Sequence, residues 1–411
     1  MSTCRRFIAL PVSAGDAFFL DLGHHSVLVD GGRNRTAFPG IFRSYACAAE
    51  VDVVVCTHND ADHANGILGF LDESSLRCKE LWLPGRWLAV LPHLLCPREE
   101  VFNSLVDTVG EAEPCSHETG LCEDPAPQNA DPSPLEWYYN EKMVRCPGAS
   151  RDRDSGQSGG EVEWSRMYAD LFDRADPWES ADNFRQDPPR TWRRRVRGGA
   201  GGAAARIHLL RSAFRAARRI RNIVIRASRR HIRVRWFEFN EKRPGGGEAW
   251  LRPLNAREVT AVPRLSEPLL SALALTVANR ESLVFWAPSA NRNPGVLFTA
   301  DSNLSATYLP PQAELDGAVA TAPHHGSDAN KHVYRILKNY PLGARVRSDG
   351  RFSRRPGGAY VSLPQQHFCT ICRLSGNNLH GNYWSKKHEV FLLSCCGVWH
   401  APPATPACLC R

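Results

Sequence analysis

The chain has 411 residues, 43% of them hydrophobic, with 11 Trp and 17 Phe. That is enough for one large domain or two ordinary ones, with a sizeable core. No apolar run approaches the roughly 20 residues that span a bilayer, and the start "MSTCRRFIALPVSAGD" turns polar too soon for an export signal. The reading is a cytoplasmic protein with no transmembrane segment, whose 14 Cys are mostly reduced thiols. The net charge of +8 is segregated: Arg190 to Arg235 holds 16 Arg and no Lys, Asp or Glu, whereas 111–187 holds 18 acidic against 7 basic residues.

In chain order, "FIALPV", "AFFLDL" and "HSVLVD" read as strands broken by turns, the last ending in Gly31-Gly32. Asp16, in "SAGD", reads as structural, and Asp30 as a group that supports its neighbours from behind. "VDVVVCT" is a strand, "ANGILGFLDES" a short helix and "CKELWLP" another strand, an alternation that packs helices on sheets. Residues 113–163 carry Pro, Gly, Ser and acids without periodicity and read as a flexible insertion, and "GGAGGAAA" at 198–205 reads as a hinge. "ARIHLLRSAFRAARRIRNIVIRASRR" spaces Ile207, Leu210, Phe214, Ala217, Ile220, Val224 and Ala227 at helical intervals, an amphipathic helix with arginine on its polar faces. "HIRVRWFEF" alternates as a strand. "LLSALALTVANRESLVFWA", "GVLFTADSN" and "DGAVATAPHHGSD" read as three further strands, the last two ending in Asp301 and in His324-His325. The expected division is 1–112 and 231–395 as two halves of one fold, 113–230 as an insertion ending in the Arg-rich helix, and 396–411 as a tail.

"CTHNDADHANG", residues 56–66, concentrates His58, Asp60, Asp62 and His63 in one loop after a strand. Imidazole and carboxylate ligands suit Zn²⁺, Mn²⁺ or iron, whereas thiolates would mark a structural zinc. The competing reading is a polar turn whose aspartates cap the following helix. Two further strands ending in Asp301 and His324-His325 favour the metal, because strand ends gather loop residues at one sheet edge.

The stretch resembles the His-x-His-x-Asp-His signature of metallo-β-lactamase-fold hydrolases, with Asp60 in place of the second His. "VSAGDAFFLDLG…VLVDGG", "NRESLV", "LFTADS" and "PHHGS" occur in the same order in the hydrolase domain of ComEC-type DNA-uptake proteins. The resemblance covers roughly 7–72 and 269–330. It implies an α/β (α+β) chain with a four-layer αββα sandwich and up to two Zn²⁺ per chain, or Mn²⁺, at one sheet edge. It assigns His58 and Asp60 to the first ion, Asp62 and His63 to the second, Asp301 as a bridge and His324 to the second site. For the third ligand of the first ion the chain offers only Asn279 and Ser282. A metal-bound hydroxide, oriented or deprotonated by Asp62, would attack phosphorus or a carbonyl carbon, and His325 would either protonate a leaving oxygen or support a ligand or cap a turn from behind.

The expected function is a metal-dependent phosphodiesterase or nuclease acting on DNA or RNA. The alternatives are hydrolysis of a small ester, thioester or lactam at the same centre, or a nucleic-acid-binding module with a degenerate metal site. Arg211, Arg215, Arg218, Arg219 and Arg229 are the candidate phosphate contacts, on a helix expected to flank the metal cleft. A solvated polar face, or pairing with the acidic block, is the plainer account of them. Cys369-x-x-Cys372, Cys395-Cys396 and Cys408-x-Cys410 invite a zinc-ribbon reading; irregular spacing, and a strand end at Cys395-Cys396 where small buried thiols are common, favour plain buried thiols.

Overall fold

The computed structural model describes residues 5–12, 14–96, 100–101, 103–106, 161–164, 167, 203–240, 242–276, 281–289, 293–305, 307–348, 356–370, 390–394 and 398–401. The readings placed on 113–160, on 198–202, and on Cys372, Cys395, Cys396, Cys408 and Cys410 lie outside them. The chain divides into two compact units: residues 1–85, 223–260 and 279–411 form one, and 86–222 with 261–278 the other.

In chain order the elements are β1 (Arg5–Ala9), β2 (Phe18–Asp21), β3 (Ser26–Val29), α1 (Phe38–Ala46), β4 (Glu50–Val55), α2 (Ala61–Asp72), β5 (Arg77–Pro84), α3 (Gly85–Leu94), β6 (Glu161–Glu163), α4 (Ala203–Arg229) and β7 (Arg233–Phe239). There follow β8 (Arg252–Pro253), β9 (Ala256–Val259), β10 (Ala261–Pro263), α5 (Leu269–Thr276), β11 (Phe285–Ala287), β12 (Val296–Phe298), α6 (Gln312–Leu315), β13 (Val319–Thr321), α7 (Lys331–Leu337), β14 (Ala344–Arg347), α8 (Gly358–Val361), β15 (Gln366–Cys369), β16 (Val390–Ser394) and β17 (Trp399–His400).

The first unit is a mixed α/β body built on two sheets. One has nine strands in the order β17-β16-β1-β2-β3-β4-β5-β7-β9, the other six in the order β15-β14-β13-β12-β11-β8. Alternate residues of both enter a single core, including Phe7, Phe18, Val29, Val55 and Phe237 from the larger sheet and Phe285, Phe298, Val319, Val346 and Phe368 from the smaller. Strand periodicity then turns Phe19 outward, where it meets Phe42 of α1 edge-on, and Phe42 meets Phe70 of α2. On the smaller sheet Trp286, Leu297 and Ala320 face outward and are buried with Leu315 of α6 and Val333 and Leu337 of α7.

Parallel pairing sets the functional edge. β3 runs parallel to β4, and β12, β13 and β14 are mutually parallel. Their carboxyl ends therefore release Asp30, His58, Asp301 and His324-His325 from strands that run the same way within each sheet, where open sheets generally build sites. The Leu283 N–H donates to the Thr57 carbonyl at 3.0 Å, tying the smaller sheet's approach segment to the loop that carries His58.

In the other unit β6 pairs antiparallel with β10, and the buried Arg221 of α4 donates from Nε to the carbonyl of Leu94 at 3.0 Å. Three readings are corrected. Residues 269–276, expected to begin a strand, form α5: Leu and Ala favour helix, and a run buried on nearly every side has no periodicity to betray its state. Residues 203–205 of the expected hinge begin α4, and Trp399–His400, assigned to the tail, pair with β16 at the sheet edge. Among the described residues no helix is long and apolar enough to cross a membrane.

One ion cluster ties β5, β7 and β9 of the larger sheet together. Arg235 of β7, 8% exposed, donates to Glu80 at 3.1 Å, Glu248 at 2.5 Å and Glu258 at 2.6 Å. Its guanidinium lies over the Trp82 ring, 4.8 Å from the centroid, and Trp82 Nε1 donates to the same Glu80. Arg235→Met would leave three carboxylates crowded without their cation, at an expected cost of about 3 kcal/mol by urea denaturation. Arg235→Lys, which restores the charge without the fork, should recover less than half of that loss.

Candidate metal centre

The centre begins with backbones that pass too close for side chains. A Cβ on Gly66 of α2 would lie 1.8 Å from the Gly31 carbonyl oxygen, and one on Gly15, at φ +85°, would lie 1.6 Å from the Asp62 carbonyl oxygen. Only glycine lets the turn after β3 and the loop before β2 press onto the first turns of α2. Asp60, extended at ψ 151°, is the N-cap of α2, and its Oδ1 accepts the Ala61 N–H at 2.6 Å. Asp62 and His63 then fall on the first turn.

Asp30 organises two imidazoles. Its Oδ1 accepts the Thr57 N–H at 2.8 Å, and its Oδ2 accepts the Thr57 hydroxyl at 2.7 Å and His63 Nδ1–H at 2.8 Å. Thr57 Oγ1 lies 3.1 Å from His58 Nδ1. Its only proton is committed to Asp30, so it accepts from His58 Nδ1–H. On the opposite side, His325 Nδ1 lies 3.0 Å from Asp16 Oδ1. Three histidines thus have Nδ1 engaged by an acceptor and Nε2 turned inward, the arrangement in which imidazole serves as a metal ligand.

The inward atoms converge on Asp301. His63 Nε2 and His325 Nε2 each lie 3.4 Å from its Oδ1, while His324 Nε2 at 3.8 Å and His58 Nε2 at 4.0 Å face its Oδ2. One carboxylate therefore divides four imidazoles into two pairs. Asp16, His63, Asp301 and His325, all buried, bring ligand atoms within 4.8 Å of one another. Nε2 of His58, Nε2 of His63, Oδ1 of Asp301 and Oδ2 of Asp16 are buried with no hydrogen-bond partner. Desolvated donors of this kind are costly unless a cation satisfies them, and nitrogen with carboxylate oxygen suits Zn²⁺ or Mn²⁺.

Electrostatics agree. Burial opposes charge on Asp301, yet His325, His63 and His324 hold its carboxyl well below the usual range. Burial likewise opposes charge on His63, but Asp301 and Asp30 outweigh it and raise that imidazole well above its ordinary value. His58 is pushed down to about 4 by burial and by His63, which keeps its Nε2 lone pair available. Asp62 is raised to about 6 by burial and Asp60, and Asp16 is raised by burial against the pull of His325. Backbone strain gathers here too: Asp30, Ala300, Leu304, His324 and His325 all have φ between 46° and 60° without being glycine. Such conformations cost energy and persist where function over-determines them. Asn330 holds the Asp301 turn by donating from Nδ2 to the Asp301 carbonyl at 3.1 Å.

Of the residues expected to bind metal, His58, His63, Asp301 and His324 meet at this centre, with Asp62 at its edge, 3.7 Å from His325 Nε2. The Asp60 Oδ1 is spent on the helix cap, so the helix-capping account fits that residue. His325 lies within the buried group, not at its opening, where an acid would stand; His324, 14% exposed, is the more open of the two. Asp16 was missed, because an aspartate before a strand has no spacing to distinguish it from a turn residue. Ser282 is buried with Oγ unpartnered, and Asn279 lies outside the described residues. No protein-family model and no curated protein matches the chain. Function has to be read from the centre itself.

His63→Ala and Asp301→Ala should abolish tight Zn²⁺ binding in calorimetric titration, whereas His58→Ala, outside the buried group of four, should retain about one ion per chain. Asp30→Ala should weaken binding by about 10- to 100-fold with every ligand still present, since it releases the rings of His58 and His63 together.

Proposed function

We propose that the chain is a metal-dependent hydrolase of metallo-β-lactamase fold, with phosphodiester hydrolysis as its reaction. The observation that carries this reading is the convergence of four imidazoles on the Asp301 carboxylate, three of them with Nδ1 engaged from behind. Two sheets sharing one core, with helices on both outer faces, support the four-layer sandwich that the motif order implies. His63, His325, Asp16 and Asp301 would hold one ion, and His58 and His324 would help to hold a second. A divalent ion in such a place lowers the pKa of a water ligand toward about 7 and polarises a phosphoryl or carbonyl oxygen.

The chain's own groups divide the remaining work. Asp62 is the carboxylate at the edge of the centre, with a side chain 21% exposed, and would orient a water and accept its proton. Asp30 and Asp16 fix ring orientation, so that the electrostatic environment is set before substrate arrives. His324, the more exposed of the histidine pair, would serve the second ion. The buried histidines and the core beneath them exclude water from behind the reacting groups.

Purified protein should hydrolyse bis-p-nitrophenyl phosphate with Zn²⁺ or Mn²⁺ and lose at least about 100-fold in rate on His63→Ala or Asp62→Ala. Parallel assays use DNA, RNA and nitrocefin. Turnover of nitrocefin alone would move the function to lactam hydrolysis, and no turnover of any substrate would leave a binding module.

A further inference from the structure

Ser348 is fully buried and stands outside the cluster of Asp16, His63, Asp301 and His325. It directly follows β14, which runs parallel to β13, so it leaves the smaller sheet at the same edge as His325. The Ala322 N–H donates to the Val346 carbonyl at 2.8 Å and holds the two strand ends level. From there the Ser348 hydroxyl reaches the β1–β2 loop of the larger sheet. It donates to the Gly15 carbonyl at 2.8 Å, 333 residues away in sequence.

The segment it meets is Ala14-Gly15-Asp16, and each of those three carbonyls accepts a hydrogen bond. Ala14 takes the Arg33 N–H at 3.0 Å and Asp16 takes the Gly32 N–H at 2.8 Å, both main-chain donors. The Gly15 anchor comes from a side chain, so of the three it is the one that depends on residue choice. Gly15 also sits at φ +85° against the Asp62 carbonyl. Asp16 Oδ1, on the next residue, lies 3.0 Å from His325 Nδ1, and its Oδ2 is buried without a hydrogen-bond partner. Two adjacent residues of one sheet's loop are thus joined to two neighbouring strand ends of the other. Glycine has the freest backbone of any residue, and a swing at Gly15 would carry the Asp16 carboxylate with it.

We propose that Ser348 is a positioning residue of the centre: its hydroxyl locks Gly15, and through Gly15 it fixes Asp16 as a ligand and as the partner of His325. The proposal rests on the metal reading of the centre, not on hydrolysis. Without the hydroxyl a buried carbonyl is left unsatisfied, and the loop moves to recover a partner. Groups that orient ligands from behind typically change metal affinity by about 10- to 100-fold, and one that acts through a neighbour belongs at the lower end.

The experiment is calorimetric Zn²⁺ titration of the full chain, with thermal melts of the metal-free proteins as the check on folding. Ser348→Ala should weaken the tighter site by about 10-fold with the number of ions unchanged. In an Asp16→Ala background, where His63, Asp301 and His325 remain, the same substitution should cost less than about 2-fold, because residues that act through one another are not additive. Ser394→Ala is the control for loss of a buried hydroxyl. Ser394 Oγ donates to Asn293 Oδ1 at 3.2 Å beside Arg5, at the amino end of β1 and away from the β1–β2 loop, so its loss should leave the affinity as in wild type. Equal affinity in wild type and Ser348→Ala overturns the proposal. So does a loss of the same size with and without Asp16, or one matched by Ser394→Ala. Wild-type protein that takes up no Zn²⁺ overturns the metal reading together with it. The expected pattern in a protein that hydrolyses nothing would overturn the enzyme reading and leave the role of Ser348 standing.

Discussion

A carboxylate buried among imidazoles is the constraint from which the rest follows. Asp301 is 3% exposed and cannot ionise at that depth unless positive or proton-donating groups surround it. Four histidines meet that demand, and each ring in turn needs a reason to hold its orientation. Asp30, Thr57 and Asp16 supply the reason for three of them. Behind these stand glycines without which the loops could not approach, and two sheets whose shared core absorbs the cost of several strained residues. Removing the carboxylate would leave a set of histidines with nothing in common.

Much of this was legible in the chain, and what was not has a physical cause. Apolar strands that end abruptly in His or Asp announce an edge, because a strand's carboxyl end is where the chain leaves the sheet; Asp301 and His58 were found that way. Asp16 could not be, since its importance lies in a contact to His325, 309 residues away in sequence. Nor could the histidine pair be ranked from "PHHGS". Both residues adopt left-handed backbone, at φ 47° and 53°, and that unusual turn decides which ring is buried. Asp60, from the same motif, is also the helix cap through its Oδ1, a role the motif alone does not reveal.

The arginine run teaches a related lesson. Sixteen arginines without a single acid suggest one function, yet their partners divide them into several. Arg235 holds three glutamates, Arg233 pairs with Glu80, Arg226 with Asp72, and Arg230 closes a helix. Each of these partners lies outside the run, so counting charges could not tell the roles apart. The α5 segment failed for a different reason, because a stretch buried all round gives no alternation to read.

The centre is split between distant parts of the chain, Asp16 to His63 on one side and Asp301 to His325 on the other, with the whole second unit encoded between them. Neither part carries the complete donor set. During synthesis the first histidines emerge long before the carboxylate they will face, and the loop that must close is long and entropically expensive. The cluster is therefore complete only when both sheets have met. A nascent or truncated chain exposes loose histidines and aspartates, not a finished centre. A cation would meet the complete donor set only once both sheets are in place.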